Sequence, residues 1–270
     1  MKTVTDIKNL LASESAVPVS ERQLILSHVL VQPRSWLIAH DTDAISEVYA
    51  HDYHAKLTRR EAGEPIAYIV GYKDFWKHRF AVNPATLIPR PETELLVELA
   101  LSARAATPCH VLDLGTGSGA IAVSLADERR QWSVLANDIS ASALKVARGN
   151  SRSLANLQFF NGCWTDAVAF DSVDMIVSNP PYIAPDDNHL PGLTHEPRGA
   201  LVSAEAGMSD IESIVTGSRK VLVSGGTLVL EHGYCQQDAV CRTLEVAGYE
   251  YIELFNDLGG IPRAVRAKRP

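Results

Sequence analysis

The sequence predicts an α/β fold: a mostly parallel sheet with helices on both faces, closed by an antiparallel pair and preceded by a small helical domain. Three observations carry that expectation. From residue 108 onward, short apolar runs of strand character alternate with segments of helical period, the pattern of a parallel sheet built from βα units. The first of those strands runs directly into a glycine-rich turn, Gly115-Thr116-Gly117-Ser118-Gly119. Residues 1–72, in contrast, show apolar positions at helical spacing and no strand-like alternation. The expected organisation is therefore a helical domain over 1–72, a hairpin and linker over 73–91, and an α/β domain over 92–270.

The helical part opens with Ser20-Glu21-Arg22-Gln23, which has the spacing of a capping box ahead of Leu24, Ile25, Val29 and Leu30. A second helix is expected over 43–62, where Ile45, Val48, Tyr49, Tyr53 and Leu57 share a face and Gly63 supplies a stop. Residues 74–82 read as a short hairpin, and the prolines at 84, 89 and 91 as an extended linker. A helix follows over 92–105. Strands are then expected at 110–114, 132–137, 157–160, 173–178 and 227–231, with helices at 121–125, 141–150 and 211–223. The segments 249–255 and 264–267 read as the closing antiparallel pair.

Composition narrows the function classes. Hydrophobic residues are 46 % and charged ones 21 %, an ordinary globular balance with a core of normal size. The formal net charge of −7 argues against a chain that grips long stretches of nucleic acid, which needs a basic face. No apolar run is long enough to span a bilayer, and the N-terminus MKTVTDIKNLLASES does not read as a signal peptide. A cytoplasmic monomer with no membrane contact is the expectation. The four cysteines, at 109, 163, 235 and 241, form no CxxC pair and no metal-ligand spacing, so reduced thiols and no metal site are expected.

The glycine turn is flanked by two acids. A strand, a glycine-rich turn and a helix N-terminus let backbone approach a ligand closely; on its own this also fits a dinucleotide fold. No lysine of the phosphate-binding kind follows the turn. Asp113, just before it, disfavours a pyrophosphate and suits the cationic end of S-adenosylmethionine. Asp138, at the end of the next strand, stands where a carboxylate accepts both ribose hydroxyls, a role compatible with capping the helix that starts near Ser140. Acid, glycine loop and acid together favour S-adenosylmethionine over NAD.

After the strand at 173–178 comes Asn179-Pro180-Pro181-Tyr182. Prolines end the strand and hold the asparagine at its tip in a stiff turn. Methyl transfer from a sulfonium is an in-line displacement, so a catalyst mainly positions the nucleophile. For an amide or aromatic amine the lone pair is tied up in a π system. An acceptor on each N–H draws the nitrogen toward tetrahedral geometry and frees it. The Asn179 side-chain oxygen and the Pro180 carbonyl are the candidate acceptors, Pro181 adds rigidity, and Tyr182 offers a face for a planar group. Asp113, Asp138 and Asn179 all end strands, so they are expected at one crevice beyond the carboxyl edge of the sheet.

The combination DLGTGSGAIA at 113–122 with NPPYI at 179–183 resembles the amino-methylating enzymes that use S-adenosylmethionine. GEPIAYIVG at 63–71, DFW at 74–76 and TLIPRPETE at 86–94 narrow this to a resemblance to the HemK/PrmC family, as do EP at 196–197, ALVS at 200–203 and LEHG at 230–233. The likeness runs nearly throughout the chain from about residue 55; the helical N-terminus matches in kind only. It implies methylation of the side-chain amide nitrogen of the glutamine in the Gly-Gly-Gln motif of peptide-chain release factors, with S-adenosylhomocysteine as product. On that reading the helical domain and the 184–199 flap are expected to receive the release factor. Gly115, Thr116, Gly117, Ser118, Gly119, Asp138 and Asn179 would bind the cofactor, Trp164 would lie against the adenine, and Asn179 to Tyr182 would bind the glutamine. The LGGIPR stretch at 258–263 departs from the family pattern, far from the inferred site.

Three rivals use parts of the same evidence. A nucleic-acid amino methyltransferase would share NPPY but not the acidic charge; a ribosomal-protein glutamine methyltransferase would share the chemistry; a NAD(P)-dependent oxidoreductase would leave NPPY unexplained. Arg90 reads equally as a cofactor-site residue or a linker ion pair, His232 as structural, and 184–199 as a flap facing the substrate.

Overall fold

The computed structural model describes residues 5–151 and 154–270. The chain divides into two compact units, Met1–Tyr72 and Lys73–Pro270. Among the described residues no helix is long and apolar enough to cross a membrane.

The first unit contains β1 (Thr5–Asp6), α1 (Ile7–Ala12), α2 (Val19–Leu30), α3 (Arg34–Ala39), β2 (Ala44–Ile45), α4 (Glu47–Glu61) and α5 (Ile66–Val70). Its core gathers Ile7, Leu10, Ile25, Leu26, Leu37, Tyr53 and Leu57, the apolar stripes of amphipathic helices turned inward. Three details differ from the sequence expectation. α4 starts at Glu47, which leaves Ile45 in β2, and Val48 and Tyr49 are exposed. β1 and β2 form an antiparallel pair, Thr5 opposite Ile45; two residues per strand are too few to show alternation. The capping box is not used. Pro18 caps α2 through its carbonyl, which accepts from Glu21 and Arg22 N–H at 3.0 Å each, so Ser20 falls inside the first turn. Glu21 instead pairs with Arg60 of α4 at 2.7 Å.

The second unit starts with the hairpin β3 (Tyr72–Phe75) and β4 (His78–Ala81), whose first strand straddles the boundary. A 3₁₀ turn, Pro91–Thr93, leads into α6 (Glu94–Ala103). Then follow β5 (Cys109–Leu114), α7 (Ala120–Glu128), β6 (Trp132–Asp138), α8 (Ala141–Asn150), β7 (Leu157–Asn161), β8 (Val173–Ser178), the four-residue turn α9 (Ala204–Gly207), α10 (Ser209–Val221), β9 (Leu222–Glu231), α11 (Gln237–Val246), β10 (Glu250–Asn256) and β11 (Pro262–Lys268). The seven-stranded sheet runs β10-β11-β9-β8-β5-β6-β7. β7, β6, β5, β8 and β9 are parallel, and β11 and β10 close it antiparallel, as expected.

Successive residues of each central strand feed opposite cores. Val111, Met175 and Val177 pack with Leu96 and Val97 of α6 and Ile121 of α7. Leu112, Leu114 and Ile176 pack with Ile211 and Ile214 of α10 and Leu244 of α11. Burial on both faces explains why these strands read as continuous apolar runs. β9 begins at Leu222, five residues earlier than expected, because Gly225 and Gly226 pair with Arg269 beyond β11. α10 accordingly stops at Val221. The register sets Leu114 beside both Asn137 and Ser178, and Ser178 beside Leu230. Asn137, Asp138, Asn179 and Glu231 therefore meet at one edge of the sheet, where open α/β folds bind their ligands.

Candidate functional site

The glycine turn is braced from below by Asp113. Its carboxyl is fully buried; Oδ2 accepts from Thr116 Oγ1 at 2.6 Å and from Ala122 N–H at 3.1 Å. Burial pushes its pKa up to about 7, the charge of Asp138 adds to that, and the two hydrogen bonds oppose it. The contact to a ligand's cation expected from the sequence would have to use Oδ1, which is buried with no hydrogen-bond partner among the described residues. The side chain turns inward and holds the loop, and it is no part of the cavity wall. Thr116 and Ser118 are buried as well.

Above the turn lies a cavity of about 400 Å³ lined by Gly115, Gly117, Asp138, Trp164, Asn179 and Pro181, with Ala85 to Leu87 on one side and Pro197, Gly199 and Ala200 on another. Asp138 Oδ2 accepts from Gly117 N–H at 2.9 Å and Oδ1 from Ser140 N–H at 2.8 Å. The neighbouring helix is capped by Ser140 itself, which leaves further lone pairs on the Asp138 carboxylate for a ligand. Gly115 has a specific reason to lack a side chain: a Cβ there would stand 3.1 Å from the Trp164 ring. Trp164 holds a left-handed backbone, φ 38°, and its carbonyl accepts from Asn137 Nδ2 at 2.6 Å. Strain of this kind persists where surroundings fix it.

The charge of the cavity tests the cofactor. Asp138 and Asp210 line it, and among the described residues no lysine or arginine does. A dinucleotide's pyrophosphate would meet carboxylates and no countercharge, whereas the sulfonium and ammonium of S-adenosylmethionine suit this wall. The residues present fit S-adenosylmethionine. The product of its reaction lacks the sulfonium charge.

Beside the cavity, the NPPY turn is held at several points. Ser178 Oγ donates to the Leu114 carbonyl at 2.8 Å, Ile183 bridges Val202, and Gln236 Nε2 donates to the Tyr182 carbonyl at 3.0 Å. Gly207, at φ 85°, passes so close that a Cβ would lie 2.1 Å from that same carbonyl oxygen. Asn179 Nδ2 donates to Thr93 Oγ1 at 2.9 Å, Thr93 donates to Glu231 Oε2 at 2.8 Å, and Tyr182 donates to Glu231 Oε1 at 3.1 Å. Burial pushes Glu231 up to about 7 despite those donors. Burial, and then the charge of Glu231, raise the Tyr182 phenol above its usual value. Pro180 and Tyr182 stand next to the cavity lining and are not part of it. A third buried carboxylate, Glu196, accepts from Ile88 N–H at 3.0 Å and pairs with Arg90, so Arg90 makes an ion pair to the 184–199 loop. His232 is buried and bonded to the Gly233 carbonyl through Nδ1.

Comparison with known proteins bears on this geometry. Residues 91–195 match the model of the Methyltransferase small domain family, and residues 4–71 that of the PrmC N-terminal domain. The release factor glutamine methyltransferase of Escherichia coli (strain K12) is 44 % identical over 257 residues, 94 % of this chain and 92 % of the relative. That of Bordetella pertussis is 45 % identical over 267 residues, 96 % and 98 % of the two chains. This chain belongs to the release factor glutamine methyltransferase family. A crystal structure of ribosomal protein L11 methylase from Lactobacillus delbrueckii subsp. bulgaricus, 19 % identical with a TM-score of 0.52 over 70 % of this chain and 83 % of that one, shares the fold.

As a release factor glutamine methyltransferase family member, the chain is a methyltransferase that takes its methyl group from S-adenosylmethionine. Several site residues escape a reading from sequence. Thr93 and Glu231 lie inside motifs that carry the family resemblance, PETE and LEHG, but nothing local assigns them to Asn179. Asn137, one residue before the expected Asp138, and Gln236, which locks Tyr182, give no local signal.

Proposed function

We propose that this protein transfers a methyl group from S-adenosylmethionine to the side-chain amide nitrogen of the glutamine in the Gly-Gly-Gln motif of peptide-chain release factors, with the Met1–Tyr72 unit as the release-factor docking domain. What supports the reading above all is Asn179. It lines the cavity at the tip of β8, and its nitrogen is committed to Thr93. A planar carboxamide that gives its nitrogen to one side turns its oxygen to the other, where it can accept an N–H.

S-adenosylmethionine supplies an electrophilic methyl on a positively charged sulfur. The chain does the rest by placement. Gly115 and Gly117 present open backbone, Asp138 offers acceptor oxygens, and Trp164 gives a flat apolar wall. Asn179 Oδ1 and the Pro180 carbonyl accept the two N–H groups of the glutamine amide. That draws its nitrogen out of conjugation and aims the lone pair. Preorganised dipoles of this kind are commonly worth about 10²–10³ in rate each. Pro180 and Pro181 remove the slack, and Tyr182, pinned at both its hydroxyl and its carbonyl, packs against the amide plane. The nitrogen is cationic once methylated and sheds its proton without a dedicated base. The glycines of a Gly-Gly-Gln motif suit a close backbone approach to this turn.

The test is methyl transfer from labelled S-adenosylmethionine to a purified release factor, beside a copy whose Gly-Gly-Gln glutamine is alanine. Label on the first protein alone is expected. Equal label on both, or on neither with the cofactor bound, would sink the reading.

A further inference from the structure

We propose that Thr93 and Glu231 are positioning residues: the buried carboxylate, acting through the threonine hydroxyl, fixes which way round the Asn179 carboxamide stands. The inference rests on the reading of Asn179 as an acceptor for the substrate amide and explains what keeps it one.

A carboxamide has two ends of nearly equal size. Rotated by half a turn, Asn179 would present its NH₂ to the incoming amide, donor facing donor, at little steric cost. The decision has to come from a partner of single polarity. Thr93 alone cannot make it, because a hydroxyl donates or accepts. Glu231 can, since an ionised carboxylate only accepts. It takes the Thr93 hydroxyl at 2.8 Å on one oxygen and the Tyr182 hydroxyl at 3.1 Å on the other. With its proton spent on Glu231, Thr93 has only lone pairs left toward Asn179, and at 2.9 Å only the amide nitrogen satisfies them. Thr93 is 5 % and Glu231 1 % exposed, so solvent hardly competes.

The fold supplies the three groups from separate places. Thr93 ends the 3₁₀ turn before α6, Asn179 follows β8, and Glu231 ends β9, the strand paired with β8. The charges facing Glu231 are mixed. Arg263 of β11 favours its ionised form and Glu92 of the 3₁₀ turn opposes it; Thr93 and Tyr182 donate to it. His232, next along the chain, is held neutral-leaning by burial. Burial raises Glu231 to about 7. Below that pH the carboxyl gains a proton of its own to donate, the single polarity is lost, and Thr93 is released to turn toward Asn179. Turnover should therefore have an acid limb.

The experiment measures methyl transfer to a release factor from pH 6 to 9 for the wild-type protein, Thr93→Val, Thr93→Ser and Asn179→Ala, with S-adenosylmethionine affinity measured calorimetrically for each. Thr93→Val keeps the shape and removes the hydroxyl. It is expected to lower kcat about tenfold or more, leave cofactor affinity within about twofold, and abolish the acid limb, while Thr93→Ser restores both rate and limb. Wild-type-like kcat in Thr93→Val, or an acid limb unchanged in it, would overturn the relay, as would a Thr93→Ser no better than valine. If Asn179→Ala itself turned over normally, the acceptor reading beneath the inference would have failed. If Asn179→Ala were inactive and Thr93→Val normal, only the positioning role would fall.

Discussion

Gly207→Ala should disable the protein far more than a single added methyl suggests, because Gly207 is the buried residue of an otherwise exposed turn. The new Cβ would sit 2.1 Å from the Tyr182 carbonyl oxygen, 2.8 Å from its carbon and 2.6 Å from Gln236 Nε2. A methyl carbon and a carbonyl oxygen approach no closer than about 3.3 Å, so one of the two backbones must yield by roughly 1 Å. Residue 207 also holds φ 85°, which costs an L-residue about 1–2 kcal/mol. The yielding segment is the NPPY turn or the turn packed on it, and Gln236, which bridges the Tyr182 and Ala206 carbonyls, is wedged out with it. A misplacement of 1 Å at reacting groups can cost about 10²-fold in rate. Steady-state methyl transfer to a release factor should show kcat down about 100-fold, while calorimetric cofactor affinity falls less, because Asn179 and Pro181 of the cavity wall shift with the turn but Gly115, Asp138 and Trp164 are held by other contacts. A folded Gly207→Ala protein with kcat within about threefold of wild type would show that the turn's position does not govern the chemistry.

Three further outcomes are expected. Asn137→Ala frees the strained Trp164 backbone by removing the 2.6 Å bond to its carbonyl, and cofactor affinity measured by calorimetry should weaken about tenfold. Glu196→Ala strands the Ile88 N–H and the Arg90 guanidinium; urea unfolding should show a loss of about 2–3 kcal/mol, and Glu196→Gln, which can still accept from Ile88, a smaller one. Asp113→Asn tests the buried charge. The folded-state pKa of Asp113 is raised to about 7, above its unfolded value, so the folded state binds the extra proton and stability is lost as pH rises through that value. The stability difference between Asp113→Asn and wild type should therefore move in favour of the variant from pH 5.5 to 8. A difference that does not vary with pH would show that Asp113 does not titrate in this range.

The parts of the site that sequence could reach are those a strand end carries by itself. Asp138 and Asn179 follow directly from where two apolar runs stop, and the glycine loop from its composition. For Asp113 the strand end is legible but the direction of the side chain is not, because in a strand buried on both faces alternation does not say which side looks toward a ligand; one oxygen braces the glycine loop and the other has no partner among the described residues. The pairings that fix the site are remote: Thr93 and Asn179 lie 86 residues apart, Thr93 and Glu231 138, Arg90 and Glu196 106. No periodicity in a single chain joins such residues; only the strand order does. The capping box failed for a local reason, since Pro18 offered its carbonyl two residues earlier. The left-handed turn at Glu205 to Gly207 has only one glycine to announce it.

The strand order also sets how quickly solvent protons can reach the backbone beneath the site. β5 lies between β6 and β8, and β8 between β5 and β9, so the strands that carry the glycine loop and Asn179 are flanked on both sides, whereas β7, which leads into Gly162 and Trp164, lies at an edge. β10 is an edge strand, largely exposed, with register shifts at Glu250/Glu253 and Phe255/Asn256. Amide exchange follows local opening, which starts at such edges. Deuterium should label β10 early and the amides of β5 and β8 near the limit set by global unfolding, so fraying of the closing hairpin leaves the strands that carry Asn179 and the glycine loop undisturbed.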